Sequence, residues 1–199
     1  ARTWIETDGQ AALATVIDTW GSSPVPIGGQ MAVAADGRFE GSVSGGCVEG
    51  EVITEAGEVL ETGKPRTLEF GVADEQAWQV GLPCGGRIRV LVERLEKAKG
   101  GPLIDRMLDA RKKREGLVLD TALADGSKVL HDERSADADI LQRFSTAKSS
   151  IETTATGEVF RQALVPPPRV LIIGATHIGQ VLAELVQGEP DASSFPSGG

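Results

Sequence analysis

Gly41-Ser42-Val43-Ser44-Gly45-Gly46-Cys47-Val48-Glu49-Gly50 is the stretch at which the chain changes its period. Upstream of it, apolar residues come in short blocks between turn signals. Downstream, Val48, Val52, Ile53, Ala56, Val59 and Leu60 fall on one helical face, and Gly63 ends the pattern. The switch predicts a helix over Val48 to Leu60, entered through a glycine pair, with Cys47 at its first turn.

Strands surround this helix on both sides. Ala12 to Thr19, Met31 to Ala34 and Phe39 to Ser42 precede it, the last two joined at the hairpin signal Asp36-Gly37. Thr67 to Phe70 and Arg87 to Glu93 follow, flanking Gly71 to Gly86, which carries Trp78 and the second cysteine. Residues 1–95 therefore read as an α+β domain with a mixed or antiparallel sheet, able to fold alone. Residues 96–165 read as a connecting α+β segment. It holds a linker at Lys97 to Gly101, a helix from Pro102 to Arg114, and hairpins around Asp125-Gly126 and Gly157. Residues 132–150 give no clear pattern.

Residues 166–199 open on Pro166-Pro167-Pro168, a stiff spacer. The apolar run Arg169-Val170-Leu171-Ile172-Ile173 follows, then Gly174-Ala175-Thr176-His177-Ile178-Gly179, then a stripe of Ile178, Val181, Leu182, Leu185 and Val186. Strand, glycine turn and helix are the opening of a Rossmann unit. The expected fold class is thus α/β: an N-terminal α+β domain followed by the start of a Rossmann-like parallel α/β domain. One such unit does not make a doubly wound sheet, so more chain or a partner would complete it.

Composition excludes several functions. The 199 residues carry 20 Lys plus Arg against 29 Asp plus Glu, a formal charge of −9, which repels nucleic-acid backbones. The basic run Arg111 to Arg114 reads as a solvated helix face. No apolar run reaches membrane-spanning length and no charged-then-apolar leader opens the sequence, which begins at Ala1. Two cysteines are too few for a disulfide framework, so the expected compartment is reducing and cytoplasmic.

The candidate site residues cluster at glycines. Cys47 follows Gly45-Gly46 and Ser44 at a helix start, where the dipole favours a thiolate and free N–H groups can meet an anion. A soft thiolate can bind a soft metal centre or carry sulfur. The plainer alternative is a buried cysteine acting as a small hydrophobe, and Glu49 stands close enough to raise the thiol pKa. Cys84 precedes Gly85-Gly86 in a second glycine loop. There is no Cys-x-x-Cys and only His131 and His177, so this is no zinc signature. Ser22 and Ser23, in the loop Gly21 to Gly29, offer a third anion cradle or simply a proline-stiffened connection. Gly174, Thr176 and Gly179 stand where a dinucleotide fingerprint has three glycines, and the Thr176 side chain would crowd a pyrophosphate.

These residues resemble the XdhC/CoxI family. The resemblance rests on Gly21-Ser22-Ser23-Pro24, on Gly41 to Gly50, on Phe70-Gly71-Val72 through Trp78, on Gly81-Leu82-Pro83-Cys84-Gly85-Gly86, and on the triple proline followed by Val170 to Gly179. It departs at Val25, where the family has arginine, and at Thr176, where it has glycine. The resemblance implies a maturation factor that binds the molybdenum cofactor (molybdopterin), supports its sulfuration and delivers it to a xanthine or carbon monoxide dehydrogenase-type enzyme. Implied partners are the apo molybdenum hydroxylase, a cysteine desulfurase and a second copy of the chain. Cys47 and Cys84 would meet the molybdenum, helped by Ser22, Ser23, Ser44, Gly45, Gly46, Gly85 and Gly86. The rival reading is an NAD(P)- or flavin-dependent oxidoreductase, its NAD(P) or FAD held at Gly174 to Gly179. A purely structural protein docked on a hydroxylase is a third.

Overall fold

The computed structural model describes residues 1–71, 86–169, 171–173, 177–178 and 180–182. A short helix, α1 (Arg2–Asp8), leads into β1 (Gln10–Trp20), the central strand of the first sheet. β2 (Gln30–Val33) and β3 (Phe39–Gly41) lie on one side of β1. β5 (Arg87–Glu96) and β4 (Arg66–Phe70) lie on the other, giving the order β3-β2-β1-β5-β4. The predicted helix is α2 (Glu49–Thr62), and Gly63 closes it by returning its N–H to the Val59 carbonyl at 2.8 Å.

Alternation builds the core. Ala12, Ala14 and Val16 of β1 share a face with Ile88, Val90 and Val92 of β5 and with Met31 and Val33 of β2. Val52, Ala56, Val59 and Leu60 of α2 cover that face. Burying each large aliphatic side chain contributes about 1.5–3 kcal/mol. The other face carries Ile17 and Leu91, which meet Phe160 of the second sheet.

That second sheet follows α3 (Gly100–Lys113). It contains β6 (Leu117–Ala122), β7 (Lys128–His131), β8 (Ser150–Thr154) and β9 (Gly157–Leu164), in the order β7-β6-β9-β8. Between β7 and β8 lies α4 (Ala138–Thr146), capped by the Asp137 carboxylate, which accepts the Ile140 N–H at 2.9 Å. Arg161 of β9 binds Asp120 of β6 at 3.0 Å, Glu152 of β8 at 2.8 Å, and Asp139 of α4, tying the helix to the sheet.

Every pairing among the described strands is antiparallel. The Rossmann-like parallel sheet expected after residue 166 is not found among the described residues. Leu171 to Ile173 carry no strand pairing, and the side chains of Leu171 and Ile173 lie exposed. A buried parallel strand needs neighbours for its N–H and C=O groups, and no described strand follows Leu164. Val170, Gly174, Thr176 and Gly179 lie outside the described residues. The chain divides into two units, Ala1–Pro166 and Pro167–Gly199. No helix among the described residues is long and apolar enough to cross a membrane.

Candidate functional site

The strand directions gather the glycine loops. β1 ends at Trp20 opposite Arg87, the first residue of β5; β3 ends at Gly41 opposite Met31; β4 ends at Phe70 opposite Ile88. The loops after β1 and β3, together with Gly71 and Gly86, therefore stand at one end of the first sheet.

Glu49 organises the loop between β3 and α2. The residue is only 8% exposed, and its carboxylate turns back into the loop. Oε1 accepts the Ser42 hydroxyl at 2.5 Å, the Ser44 N–H at 3.0 Å and the Val43 N–H at 3.2 Å. Oε2 accepts the Ser44 hydroxyl at 2.6 Å and the Val48 N–H at 3.2 Å. Burial alone would raise the Glu49 pKa. The hydrogen bonds from Ser42, Ser44 and the backbone outweigh it and hold the group at about 2. The serine hydroxyls pass the network on. Ser44 Oγ accepts from Cys47 N at 2.9 Å and Val48 N at 3.0 Å, and Ser42 Oγ accepts from Gly45 N at 2.8 Å.

Two sequence expectations change here. α2 starts at Glu49 with Val48 as its N-cap, so Cys47 stands just before the helix rather than in its first turn. The N–H groups of Val43, Ser44, Gly45, Cys47 and Val48 already have partners inside the loop, so they form a rigid nest around a resident carboxylate. Glu49 supports the cysteine loop through these hydrogen bonds. Sequence signals for this role exist in Ser42, Ser44 and an acid at the helix start, a variant of the reciprocal capping box.

What the nest presents outward is Gly45-Gly46-Cys47. Gly45 and Gly46 have φ of 80° and 111°, a left-handed pair that turns the backbone out. The Cys47 thiol is free and exposed, which removes the buried-hydrophobe alternative for this cysteine.

The loop Gly21 to Gly29 stands between the other pieces. A methyl group on Gly45 would lie 3.4 Å from Pro24 Cγ, and one on Gly86 would lie 2.2 Å from the Ser22 carbonyl oxygen. Only glycine fits at 86. Ser22 is exposed; the Ser23 hydroxyl donates to the Val25 carbonyl at 2.8 Å. Buried Gln162 of β9 donates to the Gly28 carbonyl at 3.3 Å, so the second sheet steadies this loop. Ser22, Ser23, Ser44, Gly45, Gly46, Cys47 and Gly86 thus share one end of the sheet. Cys84 and Gly85 lie outside the described residues. No group of three or more His, Cys, Asp or Glu among the described residues is arranged to hold a metal ion.

Residues 4–71, which contain the first loop, the glutamate nest and Cys47, match the model of the XdhC and CoxI family. Over these residues the chain is similar to the XdhC and CoxI family. The molybdenum cofactor insertion chaperone PaoD of Escherichia coli K12 is 37% identical over 103 residues, 51% of this chain and 32% of PaoD. A probable xanthine dehydrogenase subunit from Bacillus subtilis strain 168 is 34% identical over 98 residues, 48% of this chain and 29% of that protein. The chain spans about a third of the length of these relatives. The crystal structure of a xanthine dehydrogenase from Bacillus halodurans superposes with a TM-score of 0.58 at 23% identity, over 84% of this chain and 52% of that one. That likeness shows a shared fold.

Proposed function

We propose that this chain binds the molybdenum cofactor as cargo and inserts it into a molybdenum hydroxylase of the xanthine or carbon monoxide dehydrogenase type. The observation that carries the reading is the exposed Cys47 thiol, presented by a loop that Glu49 holds in one shape. A soft thiolate suits molybdenum. One or two thiolates make no cage, so Cys47 would add to the ligands that the cofactor itself supplies. Similarity to PaoD, a cofactor insertion chaperone, points the same way.

The finer parts of the proposal follow from this cargo. Cys84 lies two positions before Gly86 in the chain and acts with Cys47 at the molybdenum. Gly45, Gly46, Gly85 and Gly86 keep side chains away from the bound cofactor, and the exposed Ser22 offers it a hydroxyl; Ser23 and Ser44 hold loop shape. The chain supports sulfuration with a cysteine desulfurase as sulfur source, and works in the cytoplasm as a homo-oligomer alongside the apo hydroxylase. The domain expected over residues 1–95 carries the cofactor site, with 96–165 bracing it.

The test is retention of cofactor by the whole chain purified from cells that make it, read as molybdenum and oxidised pterin per protein. The expected result is retention by the wild type, a large loss in Cys47→Ala and a smaller one in Cys84→Ala. Wild-type protein without cofactor, or a Cys47→Ala Cys84→Ala variant with unchanged retention, overturns the proposal.

A further inference from the structure

Trp20 and Arg87 face each other across the β1–β5 pairing. Directly opposed residues of an antiparallel pair put their side chains on one face, with Cβ atoms about 5 Å apart. The face is the one that carries Arg89, two residues on, which reaches Glu158 of the second sheet at 3.0 Å. At Trp20 and Arg87 the second sheet no longer covers it.

Both side chains are unusually free. Trp20 is 70% exposed, the most exposed aromatic among the described residues, whereas Trp4, Phe70 and Phe160 are buried. Two other arginines of β5 are engaged: Arg89 with Glu69 and Glu158, and Arg94 with Glu96 and the Leu60 carbonyl. Arg87 is exposed and makes no hydrogen bond or ion pair among the described residues. Its stem lies over Gly71, where an added methyl group would stand 3.0 Å from Arg87 Cγ. A guanidinium with no partner among the described residues, in a chain of charge −9, is placed for an anion from outside.

We propose that Trp20 and Arg87 form a platform for the pterin ring and the phosphate of the cofactor; this rests on the cofactor-binding function proposed above. An indole face stacks on a flat heteroaromatic ring, and a guanidinium receives a phosphate through two parallel N–H donors. The platform adjoins the thiol loop through the segment Gly21 to Gly29. The carbonyls of Trp20 and Ser22 abut Gly86 at the start of that segment, and Pro24, two residues after Ser22, abuts Gly45. α2 covers the opposite face of the sheet, so a cofactor touching both sites lies across the end of the sheet. Its metal is then at Cys47 and its ring at Trp20. A nucleotide shares the ring-plus-phosphate chemistry, but the cargo proposed for Cys47 selects the pterin.

The experiment compares wild type, Trp20→Ala, Trp20→Phe, Arg87→Ala, Arg87→Lys and Cys47→Ala in the whole chain. Co-purified pterin is quantified by fluorescence after oxidation. Pterin-6-carboxylate, AMP and inorganic phosphate are titrated separately. Trp20→Ala and Arg87→Ala should each lower pterin retention and pterin-6-carboxylate affinity on the order of tenfold. Trp20→Phe should keep most of both, Arg87→Lys should be intermediate, and all melting points should stay near wild type. If Cys47→Ala loses pterin while Trp20→Ala and Arg87→Ala retain it fully, the platform is wrong and the cofactor reading stands. If wild type retains no pterin, both fall. AMP binding as tight as pterin-6-carboxylate, with the same sensitivity to Trp20→Ala, overturns the pterin as occupant.

Discussion

Replacing Glu49 by glutamine removes one charge and little volume, at the point where the cysteine loop is held. Five donors aim at the carboxylate: two serine hydroxyls and the N–H groups of Val43, Ser44 and Val48. A glutamine oxygen can replace Oε1. Its NH2 group would then point at the Val48 N–H and at a Ser44 hydroxyl that already accepts two N–H groups. The Ser44 hydroxyl loses its acceptor there, while the Val48 N–H keeps Ser44 Oγ, and an unpaired buried donor costs about 1–3 kcal/mol. The depressed pKa gives a second route to the magnitude. A carboxyl held at about 2 instead of 4.5 contributes about 3 kcal/mol to folding at neutral pH. Glu49→Gln should therefore cost about 3 kcal/mol at pH 7.

The pH dependence separates this mechanism from ordinary loss of packing. The folded pKa lies below the unfolded one, so the contribution is present above about 4.5 and lost as pH falls toward about 2. By pH 3.5 about 1.4 kcal/mol of it is gone. Urea unfolding of both proteins at pH 7 and pH 3.5 reads the effect, and the gap between them should narrow by that amount. Equal stabilities at pH 7, or an unchanged gap at pH 3.5, would refute the assignment of Glu49 as the group that holds the loop.

Gly86→Ala should destabilise by about 1–3 kcal/mol, because its methyl group meets the Ser22 backbone oxygen at 2.2 Å and neither strand end can yield cheaply. Gly57→Ala, inside α2 with open space around it, should instead stabilise by about 0.5–1 kcal/mol; thermal melts that reverse this order contradict the packing. Lys128 pairs with buried Glu93, whose carboxyl burial pushes up and Lys128 pulls down. Lys128→Met leaves that charge uncompensated and should cost about 3 kcal/mol at pH 7. The folded pKa then rises further, so the penalty grows with pH and should shrink by pH 5; equal urea-unfolding penalties at the two pH values would exclude the pair as its cause. Calorimetry with NAD should give weak or no binding, since Thr176 replaces a fingerprint glycine, and tight binding would contradict that reading.

The parts of the fold that were legible are those whose signal is local and periodic. The α2 stripe, the Asp36-Gly37 hairpin and both later hairpins announce themselves by spacing and turn residues. The helix α1 escaped because its seven residues have no side-chain cap and bury only Trp4 and Ile5. The helix α4 escaped because it buries Ile140 alone and is held by ion pairs to strands: its Asp139 to Arg161 of β9, and its Arg143 to Glu152 of β8. A short helix fixed by charges distant in sequence leaves no apolar period to read. The same holds at the site. Cys47 stands out by its glycine neighbours, but its support comes from the direction in which Glu49 turns. That direction follows from donors on Ser42, Ser44 and three backbone N–H groups converging on one carboxylate. Convergence of that kind is a property of the folded loop. Once it exists, the carboxylate beside the cysteine becomes the scaffold of the loop that carries the exposed thiol.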